Sequence, residues 1–315
     1  MRALIPATAI AVMLAGAATA SAQRTRDGHP DLTGHWTNGT ATPLQRPDAF
    51  KDKPHFTNAE AAEWERTALE RLLKLLPEDD RNAADLNDIY LETSEFKVLP
   101  DRRTSLIVDP PDGLMPPQRP QAKERAAKRP EESFDDPETI GLDERCLLGV
   151  AMGTSAASPP LIPNPFGQNF YQIVQTPTHV MIYTELVHDA RIIRMNAAHR
   201  PARIQQWLGD SVGRWEGDTL VVDTTNYSPK THFRGSGERL HVVERFSRTD
   251  ANTIRYQVTL EDAETWTTPW TAEIPFTATP SKILEYACHE GNRAVENYMR
   301  GARAEEQRAI ESGKR

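Results

Sequence analysis

The stretch that decides the fold class runs from residue 209 to residue 227 and reads GDSVGRWEGDTLVVDTTNY. Gly217 and Asp218 stand between two β-rich runs, and Gly217 supplies the positive φ that a tight hairpin turn needs. The stretch therefore predicts two antiparallel strands joined by a short turn. After the turn, one face of the second strand changes from aliphatic to hydroxyl and amide side chains, which makes Thr224 and Asn226 candidate substrate-binding residues.

Similar β-rich runs lie on both sides of this hairpin. Turn-forming residues separate the runs, and no gap between them contains a helix long enough for a parallel crossover. This succession predicts a mainly β fold, with the strands forming an antiparallel open barrel or a sandwich. The runs are residues 170–175, 179–187, 191–195, 219–225, 240–247, 253–260, 270–276 and 283–288.

The chain divides into four predicted segments. Residues 1–22 begin with a short basic region and end in an Ala-x-Ala motif, which predicts a signal peptide cut after Ala22 and a periplasmic or secreted protein. Residues 23–137 are an irregular and helical extension that ends in a Pro-rich linker. Residues 138–291 are the β-rich domain, and residues 292–315 are a charged helical tail.

The extension contains one helix start with clear boundary signals. Thr57 is a good N-cap, and Glu60, three residues later, completes a capping box ahead of a Leu-rich stretch that stops at Pro77. Residues 110–137, in contrast, are dense in proline and charge and poor in apolar side chains. That composition predicts a linker or a loop on the surface.

Composition disfavours two classes of partner. The 315 residues carry 45 acidic and 37 basic side chains, for a net charge of −8, so we expect no nucleic-acid partner. The apolar run at the N-terminus lacks the roughly 20 strongly apolar residues of a spanning helix, so we expect no membrane insertion. The partner that we expect is a small-molecule ligand or substrate.

Export also affects how the two cysteines are interpreted. In an oxidising compartment an even pair is most simply a disulfide, and Cys146 and Cys288 stand near the two ends of the β-rich region. The alternative is a nucleophilic Cys288 assisted by His289. Neighbouring side chains of a strand point to opposite faces, so these two cannot form a dyad in an extended segment, and the disulfide is favoured.

Strand alternation indicates a polar pocket inside the β fold. In residues 240–248 Glu244 falls on the apolar face, and His188 ends the inward row that begins at Val180. Buried ionisable groups are costly unless they are paired or hydrated, so they line a cavity or cap the edge of a core. We therefore interpret His188 as a catalytic acid or base that Asp189 or Glu244 orients.

The alternative interpretation of this cluster is structural: Asp189 lies at a hairpin corner and pairs with Arg191, while His188 is merely half-buried. In the catalytic interpretation, Arg191 or Arg234 holds an anionic group of the substrate. Trp215 is a candidate for stacking on a sugar or aromatic ring. The substrate-binding candidates are thus Arg191, Trp215, Thr224, Asn226, Arg234 and His289.

The sequence contains no recognisable metal or cofactor motif. The nine histidines are scattered, and the His-Glu pair at residues 289–290 is not followed by the second histidine of a zinc helix. Gly-rich nucleotide loops are lacking, and GDSVG at residues 209–213 lacks the strand-to-helix context of a nucleophile elbow. We expect no metal and no cofactor, although distant residues such as His188, His241 and Glu244 could converge on a metal.

Five motifs follow one another in order: DLTGHW at 31–36, VDPPDG at 108–113, VHDAR at 187–191, GRWEGDTLVV at 213–222 and YACHEGN at 286–292. Together they resemble a large uncharacterised family of exported bacterial proteins, and the resemblance spans nearly the whole mature chain. It implies export and carries no activity. The Gly-x-Trp of Gly34 and Trp36 also resembles the first strand of lipocalins, which implies a lipocalin-like or calycin-like barrel.

Two functions are consistent with these observations. The first is an exported, cofactor-independent lyase or hydrolase that acts on a small carbohydrate or aromatic compound by histidine acid–base chemistry. The alternative is a non-catalytic, lipocalin-like protein that binds a similar small molecule in its pocket. The density of ionisable side chains at the predicted strand ends favours the enzyme, because an apolar carrier needs few of them.

Overall fold

The computed structural model of the chain describes residues 23–74, 96–128, 136–148, 158–165, 167–231 and 233–313. The predicted signal peptide, residues 1–22, lies outside the described residues. None of the helices in the described part of the chain has the length and apolar character needed to span a membrane.

The described residues form ten β-strands and four α-helices. The strands are β1 (Gly34–Thr37), β2 (Ile107–Asp109), β3 (Phe170–Gln175), β4 (His179–Thr184), β5 (Ala190–Met195), β6 (Asp210–Glu216), β7 (Thr219–Thr225), β8 (His241–Arg248), β9 (Thr253–Glu261) and β10 (Trp270–Ala278). The helices are α1 (Asn58–Arg66), α2 (Ala68–Leu73), α3 (Pro120–Lys128) and α4 (Ala294–Glu311).

Nine of the strands close into a barrel in the order β1-β3-β4-β5-β6-β7-β8-β9-β10, because β10 pairs with β1 as well as with β9. Strand β2 pairs with β10 outside this ring. Neighbouring strands run antiparallel except β5 and β6, which run parallel. The predicted mainly β barrel and C-terminal helix are confirmed, and closure removes the free edges that an open sheet would expose.

The strand that closes the barrel, β1, comes from the N-terminal extension. Its Trp36 is buried in the barrel core at 2% exposure. The segment before β1 lies against the β6–β7 hairpin, where His29 stacks on Trp215 and Arg24 forms an ion pair with Asp218. The extension and the β-rich region therefore share one hydrophobic core.

The barrel has two different ends. Short turns at residues 176–178, 217–218 and 249–252 join neighbouring antiparallel strands at one end. At the opposite end, which we call the long-loop end, the connections are residues 185–189 between β4 and β5, residues 226–240 between β7 and β8, and residues 262–269 between β9 and β10. Longer connections carry most ligand sites of barrel proteins, so the long-loop end is where binding groups are expected.

Side-chain alternation along β8 is as the sequence predicts. Val242, Glu244 and Phe246 are each 1% exposed or less, whereas the residues between them are partly exposed. The inward row of β8 therefore carries a carboxylate into an otherwise apolar core. A buried charge of this kind requires a partner inside the barrel.

The sequence predicts helix α1 but not helix α3. Helix α1 begins at the predicted capping box, in which Thr57 Oγ1 accepts from Glu60 N at 3.2 Å and Glu60 Oε2 accepts from Thr57 N at 2.9 Å. Helix α3 lies within residues 110–137, which the composition predicts to be a linker. Pro120 is its first residue, where proline is tolerated, and Ala122 is buried, so the segment packs as a helix.

Residues 283–288 do not form the predicted strand; their backbone is irregular. In the barrel, β1 already pairs with both β3 and β10, so these residues cannot take that place in the ring. Cys288 at the end of this segment is bonded to Cys146, with their Cα atoms 5.8 Å apart, which confirms the predicted disulfide. The bond ties the segment that follows the barrel to the chain that precedes it.

Candidate functional site

A cleft of about 720 Å³ lies between the outer face of β1, β3 and β4 and the segment of residues 282–290. Its floor is a row of outward side chains that the strand register places side by side. His35 of β1 is opposite Gln172 of β3, which is opposite Tyr183 of β4. The rest of the lining comes from His188 and from residues 282–290 themselves. The cleft falls within the size range of small-molecule sites.

The β4–β5 connection fixes the 282–290 segment in place. Leu284 N donates to Glu185 Oε2 at 2.8 Å, and the His188 ring nitrogen Nδ1 lies 3.1 Å from Tyr286 O. Both anchoring residues, Glu185 and His188, belong to the β4–β5 connection at the long-loop end. The wall of the cleft therefore depends on contacts made by the same connection that supplies its histidine.

The backbone of this connection is strained. Val187 has φ of 61° and His188 has φ of 48°, a region that is costly for non-glycine residues and most costly for a β-branched one. Strand β4 ends at Thr184, so the alternation stops before His188. The His188 side chain is consequently exposed on the outer side of the barrel, which corrects the prediction that it ends an inward row.

The contact with Tyr286 fixes which nitrogen of the His188 ring carries the hydrogen. A backbone carbonyl oxygen can only accept, so Nδ1 of His188 carries the hydrogen and donates it to Tyr286 O. In the neutral ring, Nε2 is then the basic nitrogen, with its lone pair available to a ligand. The His289 ring lies 6.2 Å from the His188 ring, centroid to centroid, on the same cleft. Two imidazoles thus border one space.

Asp189 follows His188 and holds a carboxyl group in an unusual environment. Its Oδ2 is buried and has no hydrogen-bond partner. Burial raises the pKa of Asp189 to about 6, and the charge of His188 opposes this only in part. The predicted pair with Arg191 is not formed, because Arg191 binds a different carboxylate. Carboxyl groups whose pKa lies near neutrality are common in sites that move protons.

Glu244 is not the partner of His188. Both of its oxygens are taken inside the barrel by Arg191, with Nη1–Oε2 at 2.7 Å and Nη2–Oε1 at 2.9 Å, and Tyr256 Oη donates to Oε1 at 3.0 Å. Burial lowers the pKa of Arg191, but the adjacent Glu244 charge and hydrogen bonds outweigh it and raise the pKa overall. The barrel interior thus holds a polar pair, and its carboxylate is already satisfied.

The two candidates from the hairpin make contacts within the protein. Thr224 is fully buried, and its Oγ1 lies 2.9 Å from Ser211 Oγ on the neighbouring strand. Asn226 turns the chain out of β7 with φ of 58°, and its Nδ2 donates to Arg200 O at 3.0 Å. These contacts account for the change from aliphatic to polar side chains along β7 without a ligand.

The remaining candidates lie in three places. The Trp215 ring is stacked on His29, with centroids 4.6 Å apart, so one face of the indole is already covered. Arg234 lies in the 226–240 connection with a buried Nε that has no partner. His289 lines the 282–290 cleft with His188. The structure therefore brings the predicted residues together in two pairs: His188 with His289 at the cleft, and Arg191 with Glu244 inside the barrel.

Sequence reasoning missed a network on the outer face of β6, β7 and β8. His199 Nδ1 lies 3.0 Å from Asp210 Oδ2, and His199 Nε2 lies 2.9 Å from Asp223 Oδ1. The second Asp223 oxygen, Oδ2, lies 3.1 Å from His241 Nε2. The available signal was the outward position of Asp223 in β7 and of His241 in β8, whereas His199 comes from an irregular connection.

The described residues contain no group of three or more His, Cys, Asp or Glu side chains placed to hold a metal ion. Among the predicted ligands, Glu244 faces the barrel interior and His188 faces outward, and His241 is engaged by Asp223. Comparisons with protein-family models, curated proteins and solved structures yield no match to this chain. The function must therefore be inferred from the fold and the site alone.

Proposed function

We propose that the chain is an exported, cofactor-independent enzyme, a lyase or hydrolase of a small carbohydrate or aromatic compound, in which His188 is the acid or base. The observation that carries this proposal is the hydrogen bond from His188 Nδ1 to Tyr286 O, 3.1 Å long. It leaves Nε2 as the basic nitrogen of a neutral ring beside a cleft of about 720 Å³.

His289 is the second catalytic group in this proposal. The two ring centroids lie 6.2 Å apart on one cleft, so a single substrate in that cleft can meet both imidazoles. In an elimination, His188 Nε2 takes a proton from carbon, the freed electron pair forms the double bond, and protonated His289 gives its proton to the leaving group. In a hydrolysis, His188 takes the proton from the attacking water instead.

Asp189 supports the proposed role of its neighbour. A carboxyl group with a pKa of about 6 is partly protonated near neutrality, and the charge of His188 is one of the influences on it. The strained backbone at Val187 and His188 is a second supporting feature, because strain of this kind is concentrated at functional sites. Neither feature is needed by a simple β-hairpin.

The lining of the cleft supports the substrate class. Tyr183 and Tyr286 offer planar rings, and Lys282 and Glu285 offer charged groups for hydroxyls. Cys288 is held in the disulfide and supplies no thiol nucleophile. These residues favour direct acid–base chemistry on a ring-shaped, oxygen-bearing substrate over covalent catalysis through cysteine.

Export is the remaining part of the proposal. The predicted signal peptide directs the chain out of the cytoplasm, to the periplasm or the medium. The Cys146–Cys288 disulfide is consistent with an oxidising compartment. An extracytoplasmic enzyme would meet carbohydrates and aromatic compounds released from biomass.

The experiment is a screen of oligosaccharide and phenolic mixtures with the wild type and His188→Ala, with products detected by mass spectrometry. We expect turnover by the wild type and a loss of about 10²-fold or more in His188→Ala, because acid–base groups contribute about 10²–10⁴-fold. The matched control is His179→Ala, an exposed histidine at the far end of β4. Turnover should be unchanged in the control, and equal turnover by His188→Ala would refute the assignment.

A further inference from the structure

Four buried side-chain donors have no acceptor. They are the Nε–H of Arg191, the hydroxyl of Tyr227, the Nε–H of Arg234 and the indole N–H of Trp270. Arg191, Tyr227 and Trp270 are each 2% exposed or less. A buried donor without a partner is costly, and roughly 90% or more of such groups are paired in native proteins. Four together call for an explanation.

All four donors belong to the long-loop end of the barrel. Tyr227 and Arg234 lie in the 226–240 connection, Trp270 is the first residue of β10, and Arg191 is the second residue of β5. Each of these positions is where the chain leaves or enters the barrel at that end. Burial raises the pKa of Tyr227 well above its usual range, and the charges of Glu244 and Arg191 also act on it.

Two buried acceptors without a donor lie at the same end. Asn38 directly follows β1, whose last residue pairs with Phe170 at the start of β3, and its Oδ1 has no partner. Asp189, with its free Oδ2, directly precedes β5. The unsatisfied polar groups of the described interior are thus concentrated at one end and are mostly donors.

Arg234 carries the charge of this region that is not neutralised. Glu244 neutralises Arg191, but the described residues provide no ion-pair partner for Arg234. Burial, with no carboxylate to oppose it, lowers the pKa of Arg234. Gln118 Nε2 donates to Arg234 O at 2.8 Å and holds the backbone there, although φ of 47° is unfavourable for arginine. A guanidinium kept in this position suits an anion.

Aromatic rings lie beside two of the donors, those of Trp270 and Arg234. The Phe233 ring lies 6.2 Å from the Trp270 ring, and the Trp266 ring lies 5.8 Å from Trp270, centroid to centroid. The Arg234 guanidinium lies 5.9 Å from the centroid of Phe233. Aromatic walls with a few converging polar groups are typical of sites for planar organic ligands.

We propose that the long-loop end of the barrel binds a small aromatic carboxylate, separately from the 282–290 cleft. The two oxygens of a carboxylate offer about four acceptor positions, so one such group can accept from more than one donor of this set. The ring of the ligand packs among Phe233, Trp266 and Trp270. A hydroxyl on that ring satisfies one of the two unpaired acceptors, so a hydroxybenzoate is the preferred form.

The experiment is a calorimetric titration of 4-hydroxybenzoate into the full chain, with 4-hydroxybenzamide as the uncharged analogue. We expect the carboxylate to bind the wild type and the amide to bind at least tenfold more weakly. Arg234→Gln should lower the affinity for the carboxylate at least tenfold. The matched control is Arg214→Gln, an exposed arginine on β6, which should bind as the wild type does.

Tyr227→Phe separates a binding role from a structural one. The hydroxyl has no partner in the unliganded protein, so its removal should leave the melting temperature equal to or above that of the wild type. The affinity for 4-hydroxybenzoate should nevertheless fall about tenfold. Unchanged affinity in both Tyr227→Phe and Arg234→Gln, equal binding of the amide, or no binding at all would overturn the proposal. A soaked crystal with only water on the four donors would do so as well.

Discussion

Arg191 and Glu244 face each other inside the barrel and are joined by two parallel hydrogen bonds, Nη1–Oε2 at 2.7 Å and Nη2–Oε1 at 2.9 Å. Arg191 is 2% exposed and Glu244 is fully buried, so water offers neither charge an alternative. Tyr256 adds a third hydrogen bond to the carboxylate. The centre of the barrel thus contains one polar pair within an apolar core.

Breaking this pair should be strongly destabilising. Glu244→Gln leaves Arg191 as an uncompensated buried charge, so we expect a loss of about 3–5 kcal/mol in the free energy of unfolding, measured with urea. The double variant Arg191→Met/Glu244→Leu should lose less than the sum of the single variants, since no isolated charge remains. Additive losses would contradict this account. The exposed pair Arg214–Glu216 serves as the control and should show no measurable coupling.

Periodicity predicted much of this arrangement. The two-residue repeat placed Glu244 on the same face as Val242 and Phe246, and that is where it lies. The partner could not be identified in the same way, because Arg191 is three strands away around the barrel and only the curvature of the closed sheet brings the two together. Local pattern sets which face a side chain takes, and topology sets what it meets there.

The candidate site was harder to predict from the sequence, because its position also depends on how the chain folds. His188 and His289 were predicted separately as site residues and both line the cleft, but the positive φ at Val187 and His188 cannot be read from alternation. That turn moves His188 from the predicted interior to the outer face. Residues 283–288 have strand-like composition, yet the place in the ring between β10 and β3 is occupied by β1.

Asp189→Asn should change how stability depends on pH. Burial raises the folded-state pKa of Asp189 from 3.8 to about 6, so ionising this carboxyl opposes folding. The wild type should therefore lose stability relative to the variant as pH rises from about 4 to about 6, with a constant difference above that range. Thermal unfolding of both proteins between pH 3.5 and pH 8, at steps of roughly 0.5, measures the difference. A flat difference curve would show that the carboxyl is not perturbed.

For Asp223→Asn, the difference in stability from the wild type should depend on pH in a different way. Hydrogen bonding to His241 lowers the pKa of Asp223 below 3.8, and the same contact raises the pKa of His241 above 6.5. The stability from Asp223 is lost as pH falls through its lowered pKa, and that from His241 is lost as pH rises through its raised pKa. The destabilisation should thus be largest between pH 3.8 and 6.5, at about 1 kcal/mol after solvent screening is allowed for. A loss that does not vary with pH would indicate packing alone.

Removal of the Cys146–Cys288 disulfide should affect both stability and the cleft. The bond spans 142 residues, for which the chain-entropy model gives an upper bound of about 5 kcal/mol. Cys288 N also donates to Tyr286 O at 3.0 Å, the same carbonyl that accepts from the His188 ring. In Cys146→Ser/Cys288→Ser we expect lower resistance to urea, and faster hydrogen exchange in residues 282–290 than in β8. If exchange rises equally in both segments, the bond stabilises the whole fold without any particular hold on the cleft. A selective rise in 282–290 shows instead that the disulfide keeps the wall of the cleft in place.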